Sequence, residues 1–170
     1  MKKLVILGNG GYGRSVADLA EQLGYTILAV LDDKDEKHPL NSFTSYISDD
    51  PENLVEFIPA FGNNEFRLSW ITKLTSTGAQ LATLIHPSAY VSPKASIAPG
   101  TVVMPGSVVN TRCHLHTGCI VNIGSLVDHD VELMNGVHLA PGSIVKGENR
   151  IPECSKIESG EVIERGQFPL

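Results

Sequence analysis

The 170-residue chain has room for one ordinary domain or two small ones, and its 42% hydrophobic and 19% charged residues exclude a compositionally disordered polymer. Its 13 basic residues against 19 acidic ones leave a net charge of −6, the wrong sign for a sequence-independent nucleic-acid binder. No apolar run approaches the ~20 residues of a membrane span, no signal-peptide cleavage pattern follows Lys2-Lys3, and three cysteines without a C-x-x-C give neither a disulfide framework nor a zinc pattern, so a cytoplasmic setting with no membrane partner is expected.

Lys3-Leu4-Val5-Ile6-Leu7 is an apolar run of the kind that forms a buried parallel strand. Gly8-Asn9-Gly10-Gly11-Tyr12-Gly13 follows at once. Val16, Leu19, Ala20 and Leu23 then recur at helical spacing until Gly24 stops the helix. Thr26 to Leu31 reads as a second strand, ending in Asp32-Asp33. Strand, G-x-G-x-x-G, helix, strand and acid in this order suit a nucleotide. The glycines let the backbone approach a diphosphate, whose charge meets the amides and dipole of the helix N-terminus. An acid about 20 residues further on accepts hydrogen bonds from a ribose or base. Plainer readings stand beside these: the glycines also serve tight strand–helix packing, and the aspartates also suit a solvated strand end.

Lys34 to Leu40 is charged and contains Pro39, which makes it a loop. Phe57 to Phe61 is placed as a third strand, punctuated by Gly62-Asn63-Asn64, and Gly62 falls where ligands of parallel sheets bind. Asn63 or Asn64 caps a helix carrying Phe66, Trp70, Ile71 and Leu74, with Trp70 read as core rather than as a cofactor platform. This Rossmann-like unit, residues 1–80, lacks the second half and the catalytic domain that a dehydrogenase needs.

From residue 81 to residue 170 the period is six. Starting at Ile85, every sixth residue to Ile163 is Ile, Leu or Val without interruption. The position four further on is small or compact through Ala89, Ala95, Thr101, Ser107, Cys113, Cys119, Ser125, Val131, Val137 and Ser143. Neither a helical nor a strand period produces this; a hexapeptide β-helix does, each hexad making one side of a three-sided coil with its aliphatic residue inside. Pro99-Gly100, Pro105-Gly106 and Pro141-Gly142 sit where the chain bends between sides. Cys113 and Cys119 fall in the small inward slot and read as packing thiols.

The same register turns His129 and His138 outward, onto faces that are flat and exposed unless a neighbouring prism covers them. Asp128-His129-Asp130 sets a carboxylate on either side of an imidazole, which fixes its tautomer and suits it to general-base work, although a solvated histidine between acids is the commoner case. Thr111 and Gly147 stand eighteen residues either side of His129, so no stacked metal-ligand set is expected. His114 and His116, one coil earlier, are candidates for the same cleft.

A G-x-G-x-x-G unit joined to a hexapeptide prism through Leu84 to Ala89 resembles the sugar O/N-acyltransferases of the sialic-acid O-acetyltransferase and bacillosamine-pathway N-acetyltransferase type. The resemblance rests on Gly8 to Gly13, Leu31-Asp32-Asp33, Gly62-Asn63-Asn64 and Val121 to Asp130. It implies an α/β Rossmann-like unit followed by an all-β left-handed parallel β-helix, trimerisation, and acetyl-CoA and a nucleotide-linked sugar bound in clefts between prisms. It further implies His129 as catalytic base and Asp130 as its modulating acid, with His138 and Ser159 on acetyl-CoA. Gly10, Gly11, Tyr12, Asp32, Asp33 and Gly62 would hold the nucleotide sugar. The implied reaction is direct acyl transfer to an unprotonated amine or a hydroxyl. The chain ends at Leu170, short of the last coil of similar proteins, and Glu148-Asn149-Arg150 replaces small and apolar residues. An altered donor site is therefore expected, which keeps open a nucleotide-sugar-binding scaffold or another acyl donor.

Overall fold

The computed structural model describes residues 2–49, 52 and 54–170. It divides into two compact units, Met1–Ala82 and Thr83–Leu170.

The first unit is a parallel sheet with helices between its strands. Strands β1 (Lys3–Leu7), β2 (Thr26–Leu31), β3 (Val55–Pro59) and β4 (Gln80–Leu81) lie in the order β2-β1-β3-β4. Helix α1 (Gly11–Gln22) buries Val16, Leu19 and Ala20, one stripe at the spacing the sequence displays. Helix α2 (Phe43–Ser48) and helix α3 (Asn64–Ser76) complete the unit. The third strand begins two residues before the predicted Phe57 and ends at Pro59, although the Ala60 amide still donates to the Leu7 carbonyl at 2.7 Å. The Asn63 side chain accepts from the Phe66 amide at 2.8 Å, capping α3. Trp70 is core: it meets the Phe43 ring edge-on with centroids 5.7 Å apart.

The glycine loop is built by close approach. Gly8 has φ +107°, and a β-carbon there would lie 2.9 Å from the Ala60 carbonyl oxygen. One on Gly13 would lie 2.0 Å from the Gly8 carbonyl oxygen, so helix and strand meet only because both positions are bare. Packing accounts for these two glycines. Gly10 and Gly11 face open space, with only the Arg14 side-chain tip at 4.0 Å from Gly11.

The second unit is the prism expected from the six-residue period, a left-handed parallel β-helix of two-residue strands. Wall A stacks Leu84–Ile85, Val102–Val103, Ile120–Val121, His138–Leu139 and Lys156–Ile157. Wall B stacks Tyr90–Val91, Val108–Val109, Leu126–Val127, Ile144–Val145 and Val162–Ile163. Wall C stacks Ser96–Ile97, His114–Leu115, Glu132–Leu133 and Arg150–Ile151. Each residue pairs with the one eighteen positions on, His114 with Glu132 for example. The second residue of every strand points inward, and those from Val103 to Ile163 are buried.

Polar residues in the small slot do more than fit. Thr101, Ser107, Cys113, Cys119 and Ser125 each donate to a carbonyl fifteen residues ahead, in the next coil. They satisfy backbone oxygens that the two-residue strands leave inside the prism. Asn149 does the same, its Nδ2 donating to Glu164 O at 2.8 Å while its Oδ1 accepts from the Phe168 amide. The Glu148-Asn149-Arg150 segment therefore continues the coil rather than interrupting it.

From residue 100 onward the bends show a second period of six. A left-handed backbone recurs at Gly100, Gly106, Arg112, Gly118, Gly124, Asp130, Gly136, Gly142, Glu148, Cys154, Gly160 and Gly166. The corner between walls A and B is all glycine. The corner between walls B and C carries Arg112, Asp130 and Glu148 on successive coils, although an L side chain costs roughly 1 kcal/mol in this conformation.

Candidate active site

Two sites emerge, one in each unit. In the first, a cavity of about 400 Å³ opens at the carboxyl ends of β1, β2 and β3. It is lined by Gly8, Gly10, Gly11, Tyr12, Asp32, Ala60, Phe61, Gly62, Asn63 and Phe66. Five of the six residues expected at a nucleotide are therefore brought together. Asp33 is not among them: its Oδ1 accepts from the Leu40 amide at 3.0 Å and ties down the following loop. Asp32 accepts from the Asn9 amide at 2.8 Å and the Lys34 amide at 3.0 Å, and these donors hold its carboxyl below the usual range. Asp32 thus fastens the end of β2 to the glycine loop while facing the cavity.

Phe66 is the lining residue that the sequence reading placed only on a helix. It is 44% exposed, and its ring meets Phe61 edge-on at 4.7 Å. Beneath this wall, buried Arg67 donates to the Phe61 carbonyl and to Asn64 Oδ1, at 2.8 and 2.9 Å.

The second site is the corner between walls B and C. His129 Nδ1 lies 2.7 Å from Asp130 Oδ2, and its backbone amide donates to Asp128 Oδ1 at 2.8 Å. Nε2 is 3.9 Å from Asp128 Oδ2. Asp130 receives a two-pronged contact from Arg112, one coil earlier: Nε to Oδ1 at 2.6 Å and Nη2 to Oδ2 at 2.7 Å. Arg112, then His129, holds the Asp130 carboxyl far below the ordinary carboxylate range, so it stays an anion. One coil later Glu148 is paired with Arg165. The imidazole is partly open to solvent, with 37% of its side chain exposed.

Gly147 lies under the ring. A β-carbon there would come within 2.9 Å of His129 Cε1 and 3.1 Å of Nε2. The same β-carbon would lie 3.0 Å from the His129 carbonyl oxygen, so Gly147→Ala is expected to displace the imidazole together with its backbone, although no left-handed φ opposes the substitution. In an enzyme that uses this ring, the substitution should lower kcat by roughly 10- to 100-fold with KM little changed. Unaltered kcat would mean that the ring's placement is unimportant.

His138 departs from the expectation of an exposed outward face: it lies on wall A and is only 8% exposed. Its outward neighbours in the column, Ile120, Val102 and Leu84, are buried with it. The Asn122 side chain stands 3.3 Å from His138 Nε2, a contact to be sought sixteen residues back in the coil register. Ser159 is an exposed turn residue at the corner between walls A and B. Within one chain, then, His129, His138 and Ser159 occupy separate corners and walls of the prism. His114 shares a cavity with Arg112 and Asp130, whereas His116 binds Glu132 at 2.8 Å. Among the described residues no group of three or more metal-ligating side chains is close enough to hold an ion, and no helix is long and apolar enough to cross a membrane.

Residues 3–74 match the PglD N-terminal domain family. A UDP-N-acetylbacillosamine N-acetyltransferase of Bacillus subtilis is 33% identical over 102 residues, which span 54% of this chain and 46% of that protein. Among solved structures, the acetyltransferase domain of PglB from Neisseria gonorrhoeae in complex with acetyl coenzyme A is 38% identical. Its TM-score is 0.88, covering 98% of this chain and 83% of its own. A point variant of perosamine N-acetyltransferase from Caulobacter crescentus, in complex with CoA and GDP-perosamine, matches with a TM-score of 0.87 at 26% identity over 98% of this chain and 90% of that one. A glycine-loop sheet followed by a hexapeptide prism, shared over 98% of this chain with a 38% identical relative of which it covers 83%, places the chain in the hexapeptide-repeat family of sugar acyltransferases.

Proposed function

We propose that the protein transfers an acetyl group from acetyl-CoA to the amine of a nucleotide-activated amino sugar, with His129 as general base. The observation that carries this reading is the His129–Asp130 contact of 2.7 Å at the wall B–wall C corner. An anionic carboxylate accepting the Nδ1 proton leaves the Nε2 lone pair to take a proton. As the sugar amine attacks the thioester carbonyl, its nitrogen–carbon bond forms and Nε2 takes the amine proton. The carbonyl electron pair moves onto oxygen, where a backbone amide of the cleft is the natural donor, and returns as the carbon–sulfur bond breaks. The imidazolium then protonates the departing CoA thiolate. Amide and free CoA leave, and the base is restored.

Support for the acceptor comes from the glycine-loop cavity, where Gly10, Gly11 and Tyr12 open the N-terminus of α1 to a diphosphate. Asp32 and Gly62 flank it, and Asp33 acts on the nucleotide only through the loop it ties. His138 and Ser159 would hold acetyl-CoA.

The active unit in this reading is a homotrimer. The outward residues of wall B are Tyr90, Val108, Leu126, Ile144 and Val162, an unbroken apolar column with Tyr90, Leu126 and Val162 exposed. Such a patch favours a protein partner, and three identical prisms close a ring without leaving it in water. Wall B flanks the His129 corner, so the same contact would also shield the imidazole.

Incubating the protein with acetyl-CoA and UDP- and GDP-linked amino sugars should yield an acetylated sugar nucleotide by mass spectrometry, one for each CoA thiol released. Sedimentation should show a trimer. Nucleotide binding without any acetylated product would favour a scaffold and defeat the enzymatic reading.

A further inference from the structure

Of the bends from residue 100 onward, four carry a non-glycine residue in the left-handed conformation, and three of these lie on successive coils at the corner that holds His129. Strain of this kind persists where surrounding structure uses the side chain. Arg112 and Asp130 use theirs on each other, through a guanidinium fork that meets both carboxylate oxygens. The Arg112 side chain is 62% exposed, so solvent screens what the pair adds to folding.

What the fork constrains is direction. His129 lies between two carboxylates, Asp130 at Nδ1 and Asp128 near Nε2. With the proton on Nδ1 the ring serves Asp130 and offers Nε2 to the reaction. With the proton on Nε2 the ring would turn that proton toward Asp128, 3.9 Å away, and have no base to offer there. Asp128 is steadied by the His129 amide and by Asn110 Nδ2 at 3.3 Å, so it competes from a fixed position. Glu148, one coil on, is engaged by Arg165. The choice of tautomer therefore depends on how firmly Asp130 is aimed, and Arg112 is the group that aims it.

We propose that Arg112 is a positioning residue, holding the Asp130 carboxylate so that Oδ2 meets Nδ1 of His129 and Nε2 is kept as the proton acceptor. This rests on the acyl-transfer reading for its consequence in turnover, but the tautomer itself is observable without substrate. In protein carrying ¹⁵N-labelled histidine, the neutral form of His129 should be a single Nδ1–H tautomer. In Arg112→Gln it should become a mixture with Nε2–H. Arg112→Lys keeps the charge but loses the fork and should also give a mixture.

With acetyl-CoA and a UDP- or GDP-linked amino sugar, Arg112→Gln should lower kcat by ~10- to 100-fold while leaving both KM values within about twofold. The double variant Arg112→Gln/Asp130→Asn should be no slower than Asp130→Asn alone, because Arg112 acts only through Asp130. A single unchanged tautomer in Arg112→Gln overturns the proposal, as do losses that multiply in the double variant. Absence of turnover in the wild-type protein would instead defeat the acyl-transfer reading, and the tautomer comparison would still decide the role of Arg112.

Discussion

His129→Ala is expected to lower kcat by ~10²- to 10⁴-fold, the range that a positioned general base supplies, without weakening the binding of UDP or GDP. The two halves of this expectation have separate causes. Turnover should fall because the acidic groups described at the wall B–wall C corner, Asp128, Asp130 and Glu148, are carboxylates and weaker bases than an imidazole. Asp130 is held as an anion by Arg112, too weak a base for an amine proton, and Glu148 is engaged by Arg165. Nucleotide binding persists because the glycine-loop cavity is built wholly from residues of the first unit. Rate measurements at saturating acetyl-CoA and calorimetry with the nucleoside diphosphate check the two halves independently. Retention of a tenth or more of the wild-type kcat would remove His129 from the mechanism.

The second expectation concerns which chains build one site. His129 sits at the corner between walls B and C, whereas His138 sits on wall A, opposite that corner of the triangular coil. If both act on one acetyl-CoA, two different chains must supply them. His129→Ala and His138→Ala protomers are each expected to be nearly inactive at acetyl-CoA concentrations below KM. Unfolded together and reassembled in equal amounts, they should recover about a quarter of wild-type turnover, since random mixing pairs an intact His129 with an intact neighbouring His138 at one cleft in four. A mixture no more active than its parents would place the two histidines at different sites, and would return His138 to a structural role beside Asn122.

Much of this architecture is written plainly in the chain. The six-residue aliphatic repeat needs no tertiary context, because every coil repeats the same local problem of filling a narrow prism. Gly8 and Gly13 are equally legible, since only a bare α-carbon permits the strand–helix approach they make. The misplaced third strand shows the limit: Phe57 to Phe61 is apolar throughout, and only the register against β1, Lys3 with Val55 to Leu7 with Pro59, sets where the strand begins and ends. His138 shows another. Its hexad position turns it outward, but burial of an outward face depends on what covers it, which a repeat does not encode.

The amino-acid sequence by itself determined the two-part plan, the inward and outward sense of each prism residue, and the placing of His129 between two carboxylates. It did so because those features follow from local period and spacing. Only the tertiary structure decided which carboxylate the imidazole meets, that Arg112 grips that carboxylate from the coil before, that Gly147 leaves room for the ring, and that Asp33 ties the loop after β2 through the Leu40 amide. Each of these is fixed by a contact between segments that are adjacent only after the chain has folded, where directions of a few ångströms, rather than residue type, determine which groups meet.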